Sequence, residues 1–164
     1  MTIATKKGDA GMTGLASGEH ISKTDRRVNA YGTLDEFVSF LGLVRATDID
    51  ATIAGHIKTI QCNLFLLGTE LAGGKKFAEP TMCYHNKSER KLLDKGLGEE
   101  HLKYVDDLLS EYESHMPEPG GFIVPGDSWP SALMDVARLS AAHSRKGPPG
   151  PLRFSRRDGG HRPL

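Results

Sequence analysis

A stretch near the start of the chain combines closely spaced glycines with lysine, aspartate and threonine. We call residues 5–13 the glycine loop; its candidate residues are Thr5, Lys6, Gly8, Asp9, Gly11 and Thr13. Glycines three positions apart let backbone N–H groups converge on an anion, and lysine and threonine add a charge and a hydroxyl donor. A polyphosphate requires such groups. The spacing is not that of a P-loop, and an unstructured terminal tail is the alternative that composition alone favours.

A second group of charged residues lies where helices are predicted. Asp35 and Glu36 stand beside Leu34 and Phe37, and Arg138 stands among apolar residues further along the chain. A buried carboxylate costs several kcal/mol unless it is paired, so a basic partner is expected if this face is buried. The guanidinium of Arg138 is able to pair with the Asp35 carboxylate or to bind a phosphate. The alternatives are that both carboxylates lie on a solvated face and that Arg138 packs its stem on the surface.

Four helices are expected to position these groups. Apolar residues recur at helical spacing over about 25–46, 49–72, 99–115 and 128–146. One short helical turn is expected at 88–93, and residues 1–25 have the composition of a loop. No strand pattern is convincing. The fold class is therefore all-α, an up-down bundle that forms one domain over residues 1–146, and the tail 147–164, with eight Gly or Pro residues, is expected to be disordered.

The periodicity also predicts which residues face inward. Phe122, in a short apolar piece before the fourth helix, is by itself typical of a core residue. The predicted inward positions are Ile53, Ile57, Ile60, Leu64, Leu67 and Leu71 in the second helix, Leu102, Val105, Leu109, Tyr112 and Met116 in the third, and Leu133, Val136, Ala137, Ser140 and Ala141 in the fourth.

The composition excludes several classes of function. The 164 residues carry 21 basic and 21 acidic side chains, a balance that gives no case for a nucleic-acid or membrane partner. The four arginines of the tail are a weak basis for a nucleic-acid arm. Two cysteines, and the lack of an apolar run of about 18 residues, indicate a cytoplasmic protein. The histidines show no metal-ligand spacing, so no metal site is predicted.

Several segments together carry a family resemblance. They are TKKGDAGMTGL at 5–15, RRVNAYGTLDEFVSFLGLVRA at 26–46, IQCNLFLLGTELA at 60–72 and FIVPGDSWPSALMDVARLSAA at 122–142. In order and spacing they resemble the PduO-type ATP:corrinoid adenosyltransferases. This resemblance implies transfer of the 5′-deoxyadenosyl group of ATP to cob(I)alamin, which forms adenosylcobalamin and expels triphosphate. It also implies Mg²⁺ on the triphosphate, a homotrimer with sites between subunits, a flavin-dependent reductase, and an adenosylcobalamin-dependent enzyme that receives the product.

The resemblance implies roles for individual residues. The six candidate residues of the glycine loop, together with Arg27, are expected to bind ATP. Asp35 and Arg138 are expected to pair across a subunit boundary. Phe122 is expected to exclude the lower axial ligand of the corrinoid, which makes its Co(II) form easier to reduce.

After about residue 142 the resemblance ends. The family continues its fourth helix with a basic RRAER stretch, whose two phosphate-binding arginines are replaced here by Ala142 and His143. A fifth helix expected in the family has no counterpart, so the apolar seams of its neighbours are expected to be exposed. The alternative function is therefore a non-catalytic or impaired helical module that still binds ATP or corrinoid.

Overall fold

The computed structural model describes residues 8–74 and 96–144. Within these two ranges the chain forms two short strands and four helices. The elements are β1 (Met12–Gly14), β2 (His20–Ser22), α1 (Arg26–Arg45), α2 (Ala51–Leu71), α3 (Glu99–His115) and α4 (Trp129–Ser144). The predicted all-helical class and the four predicted helices are confirmed, with ends shifted by at most a few residues. The turn predicted at 88–93 and the tail 147–164 lie outside the described ranges.

The segment expected to be only a loop contains an antiparallel ribbon. β1 pairs with β2 so that Thr13 is opposite Ile21. Gly11 and Gly18 both have positive φ, 78° and 87°, and the chain bends at each of them. Ile21 is buried. The expectation of no strand was wrong here because three-residue strands are too short to show an alternating pattern.

Helix α1 lies between α2 and α4. Its residues Leu41 and Val44 form the core with Ile57 of α2 and Ala137 of α4. Ala137 is fully buried, and its small side chain allows α4 to approach α1 closely. Around this cluster pack the partly buried residues Phe37, Phe40, Ile49, Ile60, Leu64 and Leu133.

The helix ends follow the sequence signals. The Asp25 carboxylate caps α1 by accepting from the N–H of Arg27. Asp50 caps α2 by accepting from the N–H groups of Thr52 at 2.7 Å and Ile53 at 3.2 Å, which lowers the pKa of its carboxyl. Gly73, with φ of 73°, follows the last turn of α2.

The Asp50 cap predicts a pH dependence of stability. Because the folded-state pKa of Asp50 lies below its ordinary value, its contribution is present near neutral pH and is lost as pH falls through the folded-state pKa. Asp50→Asn keeps a capping oxygen but does not titrate. We expect the melting temperature of this variant to fall by about 3 °C less than that of the unsubstituted chain on acidification from pH 7 to pH 3. Thermal unfolding at both pH values measures this.

Asp48→Asn is the matched control, since no group in the described ranges hydrogen-bonds the Asp48 carboxylate. An equal fall in melting temperature between pH 7 and pH 3 in the unsubstituted chain, Asp50→Asn and Asp48→Asn would contradict the role of the cap.

Helix α3 departs from the predicted inward pattern. All five of its predicted inward residues are exposed, from 39% at Tyr112 to 65% at Met116. The helix meets α2 at His56, whose Nδ1 lies 2.8 Å from the hydroxyl of Tyr104. Ile53 and Val136, also predicted inward, are exposed as well. Periodicity identifies an apolar face, but another element must still cover it. In the described ranges the ring of His56 contacts Tyr112 of this face, and the face remains largely exposed. The exposure of a seam through the lack of a fifth helix stays a prediction.

Candidate functional site

The glycine loop leads directly into the ribbon. The N–H of Gly11 donates to the carbonyl of Gly8 at 3.2 Å, and the N–H of Lys23 donates to the carbonyl of Gly11 at 2.8 Å. Within the ranges that the structure describes, the N–H groups of Asp9 and Ala10 have no acceptor. Asp9 is exposed. Amides without an acceptor in the described ranges suit an anion, and binding of a polyphosphate by this loop stays a prediction. Thr5 and Lys6 lie outside the described ranges.

Lys23 is a candidate that the sequence analysis missed. A Cβ at Gly8 would lie 2.9 Å from the Nζ atom of Lys23, so the ammonium group lies directly over the glycine loop. No carboxylate in residues 8–74 and 96–144 pairs with it. In the sequence Lys23 and Gly8 are fifteen positions apart, and only the register of the ribbon brings them together. At this place the ammonium group would attract a bound anion by its charge, in addition to the hydrogen bonds that the amides of Asp9 and Ala10 can donate.

Arg27 holds the ribbon to the first turn of α1. Its two terminal nitrogens donate to the two carboxylate oxygens of Glu19 at 2.8 and 2.9 Å, and its Nε lies 3.4 Å from Asp25. The hydrogen bond from Arg27 lowers the pKa of Glu19, and the bond from Glu19 raises the pKa of Arg27. The backbone N–H of Arg27 lowers the pKa of Asp25. All three groups are thus charged at neutral pH.

The two neighbouring carboxylates of α1 differ in their contacts. Both side chains are exposed in the single chain. Glu36 accepts a hydrogen bond from the hydroxyl of Ser140 on α4 at 3.2 Å. The carboxylate of Asp35 contacts no cation in the part of the chain that the structure describes. Because both carboxylates are exposed in the single chain, the burial that would require a basic partner is not present there, as the alternative of a solvated face predicted.

Arg138 lines an open pocket between α1 and α4. Its Nε lies 3.1 Å from Asp135, one turn earlier on the same helix, so the single chain does not pair it with Asp35. The pocket has a volume of about 380 Å³, and its lining residues are Phe37, Met134, Arg138, Ala141 and Ala142. Pairing of Asp35 with Arg138 across two subunits stays a prediction.

Phe122 lies in the connection between α3 and α4. Its side chain is fully exposed, and Ile123 and Val124 beside it are largely exposed too. The expectation that Phe122 by itself is a core residue was wrong. A large apolar side chain in water gives the single chain no stability, so this connection is a candidate contact for a ligand or a neighbouring subunit.

Neither a metal cluster nor a membrane-spanning segment is found in the described ranges. No group of three His, Cys, Asp or Glu side chains there is arranged to hold a metal ion. No helix there is long and apolar enough to cross a bilayer.

Comparison with known proteins identifies the family. The family model described as cobalamin adenosyltransferase matches residues 3–142. The chain belongs to this family. The predicted resemblance is confirmed, and so is the prediction of a corrinoid adenosyltransferase at the level of the family. The matched region of the cobalamin adenosyltransferase family ends at residue 142, where the sequence analysis placed the end of the resemblance.

Relatives in the cobalamin adenosyltransferase family come from several bacteria. A corrinoid adenosyltransferase of Citrobacter freundii is 34% identical over 136 residues, which are 83% of this chain and 70% of the relative. The corrinoid adenosyltransferase PduO of Salmonella typhimurium is 32% identical over 146 residues, 89% of this chain and 40% of the relative. A corrinoid adenosyltransferase of Bacillus subtilis is 34% identical over 142 residues, which are 84% of this chain and 65% of the relative. The chain thus spans less than two thirds of the last two relatives.

Solved structures of the family share the fold. A variant of the PduO-type ATP:corrinoid adenosyltransferase from Lactobacillus reuteri, complexed with cobalamin and ATP, superposes with a TM-score of 0.64 at 24% identity. The match covers 87% of this chain and 74% of that one. A second variant of the same enzyme, complexed with ATP, gives a TM-score of 0.62 at 25% identity. These likenesses agree with the helical bundle of α1, α2, α3 and α4.

Proposed function

We propose that this chain transfers the 5′-deoxyadenosyl group of ATP to the cobalt of a reduced corrinoid. The electron pair of Co(I) forms the bond to the 5′ carbon of ATP, and the carbon–oxygen bond to the triphosphate breaks. Triphosphate leaves with that bond's electron pair. The observation that carries this proposal is the glycine loop of a chain that belongs to the cobalamin adenosyltransferase family. In the described ranges the amides of Asp9 and Ala10 have no acceptor, and the ammonium group of Lys23 lies over Gly8.

In this proposal the protein contributes position and charge. The amides of Asp9 and Ala10 and the ammonium group of Lys23 face the triphosphate, and Thr5, Lys6 and Thr13 add donors from the same loop. The two amides and the Lys23 ammonium group are in place before ATP binds, so they stabilise the charge that develops on the leaving group. ATP and the corrinoid are both substrates and supply the reacting atoms.

Mg²⁺ fits this site as an ion that arrives with ATP. In nucleotide sites Mg²⁺ keeps several waters and takes one or two carboxylates together with phosphate oxygens. Asp9 is the exposed carboxylate of the glycine loop, and the described ranges hold no cage of three ligands that would compete with this mode. When bound, Mg²⁺ would neutralise part of the triphosphate charge.

A homotrimer is proposed for the assembly, with Asp35 and Arg138 paired between neighbours. Three features support contact between copies: the exposed apolar face of α3, the exposed side chains of Ile123 and Val124, and the carboxylate of Asp35, which pairs with no cation in the described ranges. Single soluble chains rarely leave such a face in water. The trimer is proposed to act in the cytoplasm, where a flavin-dependent reductase supplies Co(I) and an adenosylcobalamin-dependent enzyme takes the product.

The alternative is a helical module that binds its ligands without catalysis. It is favoured by one observation, the replacement of the family's two phosphate-binding arginines by Ala142 and His143. Arginine donates a fork of hydrogen bonds to phosphate, which neither alanine nor histidine reproduces.

An anaerobic assay distinguishes the two functions. Purified chain is mixed with Mg-ATP, cob(II)alamin and a chemical reductant, and the absorbance of the cobalt–carbon bond is followed. Calorimetric titration with each ligand and sedimentation of the same sample give affinity and subunit number. The proposed function predicts product and a trimer. Binding of both ligands without product would contradict the proposed activity and favour the alternative, whereas binding of neither would contradict both.

A further inference from the structure

The Glu19–Arg27 pair connects two elements that carry the candidate site. Glu19 lies at the turn between β1 and β2, and Arg27 lies in the first turn of α1. The pair is bidentate, with distances of 2.8 and 2.9 Å. Two parallel N–H···O bonds fix the direction of a guanidinium group as well as its distance, which a single ion pair does not.

The ribbon also contacts the end of α2. At its turn, the N–H of Ala16 donates to the carbonyl of Ala72 at the end of α2, at 3.1 Å. At its open end lies the described part of the glycine loop, residues 8–13. In the described ranges the Glu19–Arg27 pair is the ion pair that joins the ribbon to α1, and Leu15 and Ile21 of the ribbon are also buried. The pair therefore adds a directional contact that helps to fix the angle at which the glycine loop meets α1.

The guanidinium of Arg27 has its nitrogens committed to carboxylates. The two terminal nitrogens bond Glu19, and Nε faces Asp25. A triphosphate that took over these donors would have to displace the Glu19 carboxylate and leave it beside its own negative charge. Two of the five N–H groups of the guanidinium are not used by these bonds. A phosphate on those two groups would also bring its negative charge close to the Glu19 carboxylate, so the arrangement of the single chain disfavours direct contact.

We propose that Glu19 and Arg27 are positioning residues, which fix the glycine loop relative to α1 and thereby raise affinity for the triphosphate of ATP. This inference rests on the proposed function. It replaces the expected phosphate contact of Arg27 with an indirect role, and it gives Glu19, a negative residue, a part in binding an anion.

The two roles of Arg27 predict opposite effects of Glu19→Gln. If the pair positions the loop, the substitution raises the Kd for ATP, because the loop loses its fixed place. If Arg27 binds phosphate directly, removing its competing carboxylate lowers the Kd. The two side chains are 42% and 52% exposed, so water and salt screen the pair. We expect a Kd raised about three- to fivefold at low salt, with a smaller ratio at high salt.

The experiment uses Glu19→Gln, Arg27→Gln and the double variant in the full chain. Calorimetry with Mg-ATP gives Kd, steady-state assays give kcat and KM, and hydrogen exchange without ATP follows the amides of Leu15 and Lys23, which bond within the ribbon. Positioning predicts a similar rise in Kd for all three variants, an unchanged kcat, and faster exchange at both amides. Arg26→Gln and Glu113→Gln are the controls, since neither side chain is bonded in the described ranges.

Three outcomes would overturn the inference: a lower or unchanged Kd for Glu19→Gln, a double variant whose effect is the product of the single effects, or unaltered exchange in the ribbon. Failure of the proposed function is seen separately, as an absence of ATP binding in the unsubstituted chain. Because the exchange measurement needs no ATP, it tests the contact of ribbon and helix even then.

Discussion

Replacing Phe122 with alanine is expected to slow adenosylation by about tenfold or more while the melting temperature stays the same. Phe122 is fully exposed in the single chain, and surface substitutions of this kind usually leave stability nearly unaltered. In the proposed site its ring keeps a donor ligand away from the lower face of the cobalt. Without the ring that ligand stays bound, and Co(II) becomes harder to reduce. The rate of cobalt–carbon bond formation, measured beside a thermal melt, checks both parts.

Phe40→Ala is the matched control for this prediction. Phe40 lies on α1 and packs against the core cluster, so the same truncation leaves a cavity and lowers the melting temperature. The absorption spectrum of bound cob(II)alamin adds a direct readout, since a retained lower ligand changes the coordination of the cobalt. An unaltered rate and spectrum for Phe122→Ala would remove Phe122 from the site. A melting temperature lowered as far as that of Phe40→Ala would assign it a structural role instead.

The helices were predictable because each is long enough to repeat its apolar pattern several times. Helix α1 spans 20 residues and α2 spans 21, and capping aspartates mark where both begin. Strands β1 and β2 have three residues each, which is too short for an alternating pattern to stand out. The ribbon therefore escaped prediction although glycines marked its turns.

The candidate site was predicted in part, for a related reason. The residues of the glycine loop became candidates because they are neighbours in sequence, and Arg27 became one because the family resemblance implied it. Lys23 and Glu19 were missed because the pairing of β1 with β2 brings them to Gly8 and Arg27. Residue types reveal which groups can bind an anion, whereas register decides which of them meet.

The exposed face of α3 marks a further limit. Its apolar spacing correctly predicted a helix, yet Leu102 and Leu109 lie in water. Spacing determines that a face is apolar, and the partner that covers it is a separate fact. Asp35 and Glu36 show the same limit. They are adjacent on α1 and carry the same charge, yet in the described ranges Glu36 accepts a hydrogen bond from Ser140 and Asp35 contacts no cation.

Asp35→Asn is expected to weaken assembly or corrinoid binding by about tenfold, and Glu36→Gln by much less. Both substitutions remove one charge and keep the shape of the side chain. Glu36 accepts a hydrogen bond from Ser140 in the same chain, and an amide oxygen can still accept it. The Asp35 carboxylate has no such contact in the described ranges, and it is proposed to meet Arg138 of a neighbouring subunit. If assembly buries this charge pair, Asp35→Asn leaves the charge of Arg138 buried without a partner, which is unfavourable.

Sedimentation equilibrium measures assembly, and calorimetry with cob(II)alamin measures corrinoid binding. Arg138→Gln and its combination with Asp35→Asn complete a double-mutant cycle. In the single chain Arg138 contacts Asp135 through an exposed pair, and such pairs contribute little, so Arg138 can change partner at small cost. Removing both Asp35 and Arg138 charges should then weaken assembly no more than removing either one. Equal, small effects of Asp35→Asn and Glu36→Gln would contradict the pairing, as would additive effects of Asp35→Asn and Arg138→Gln.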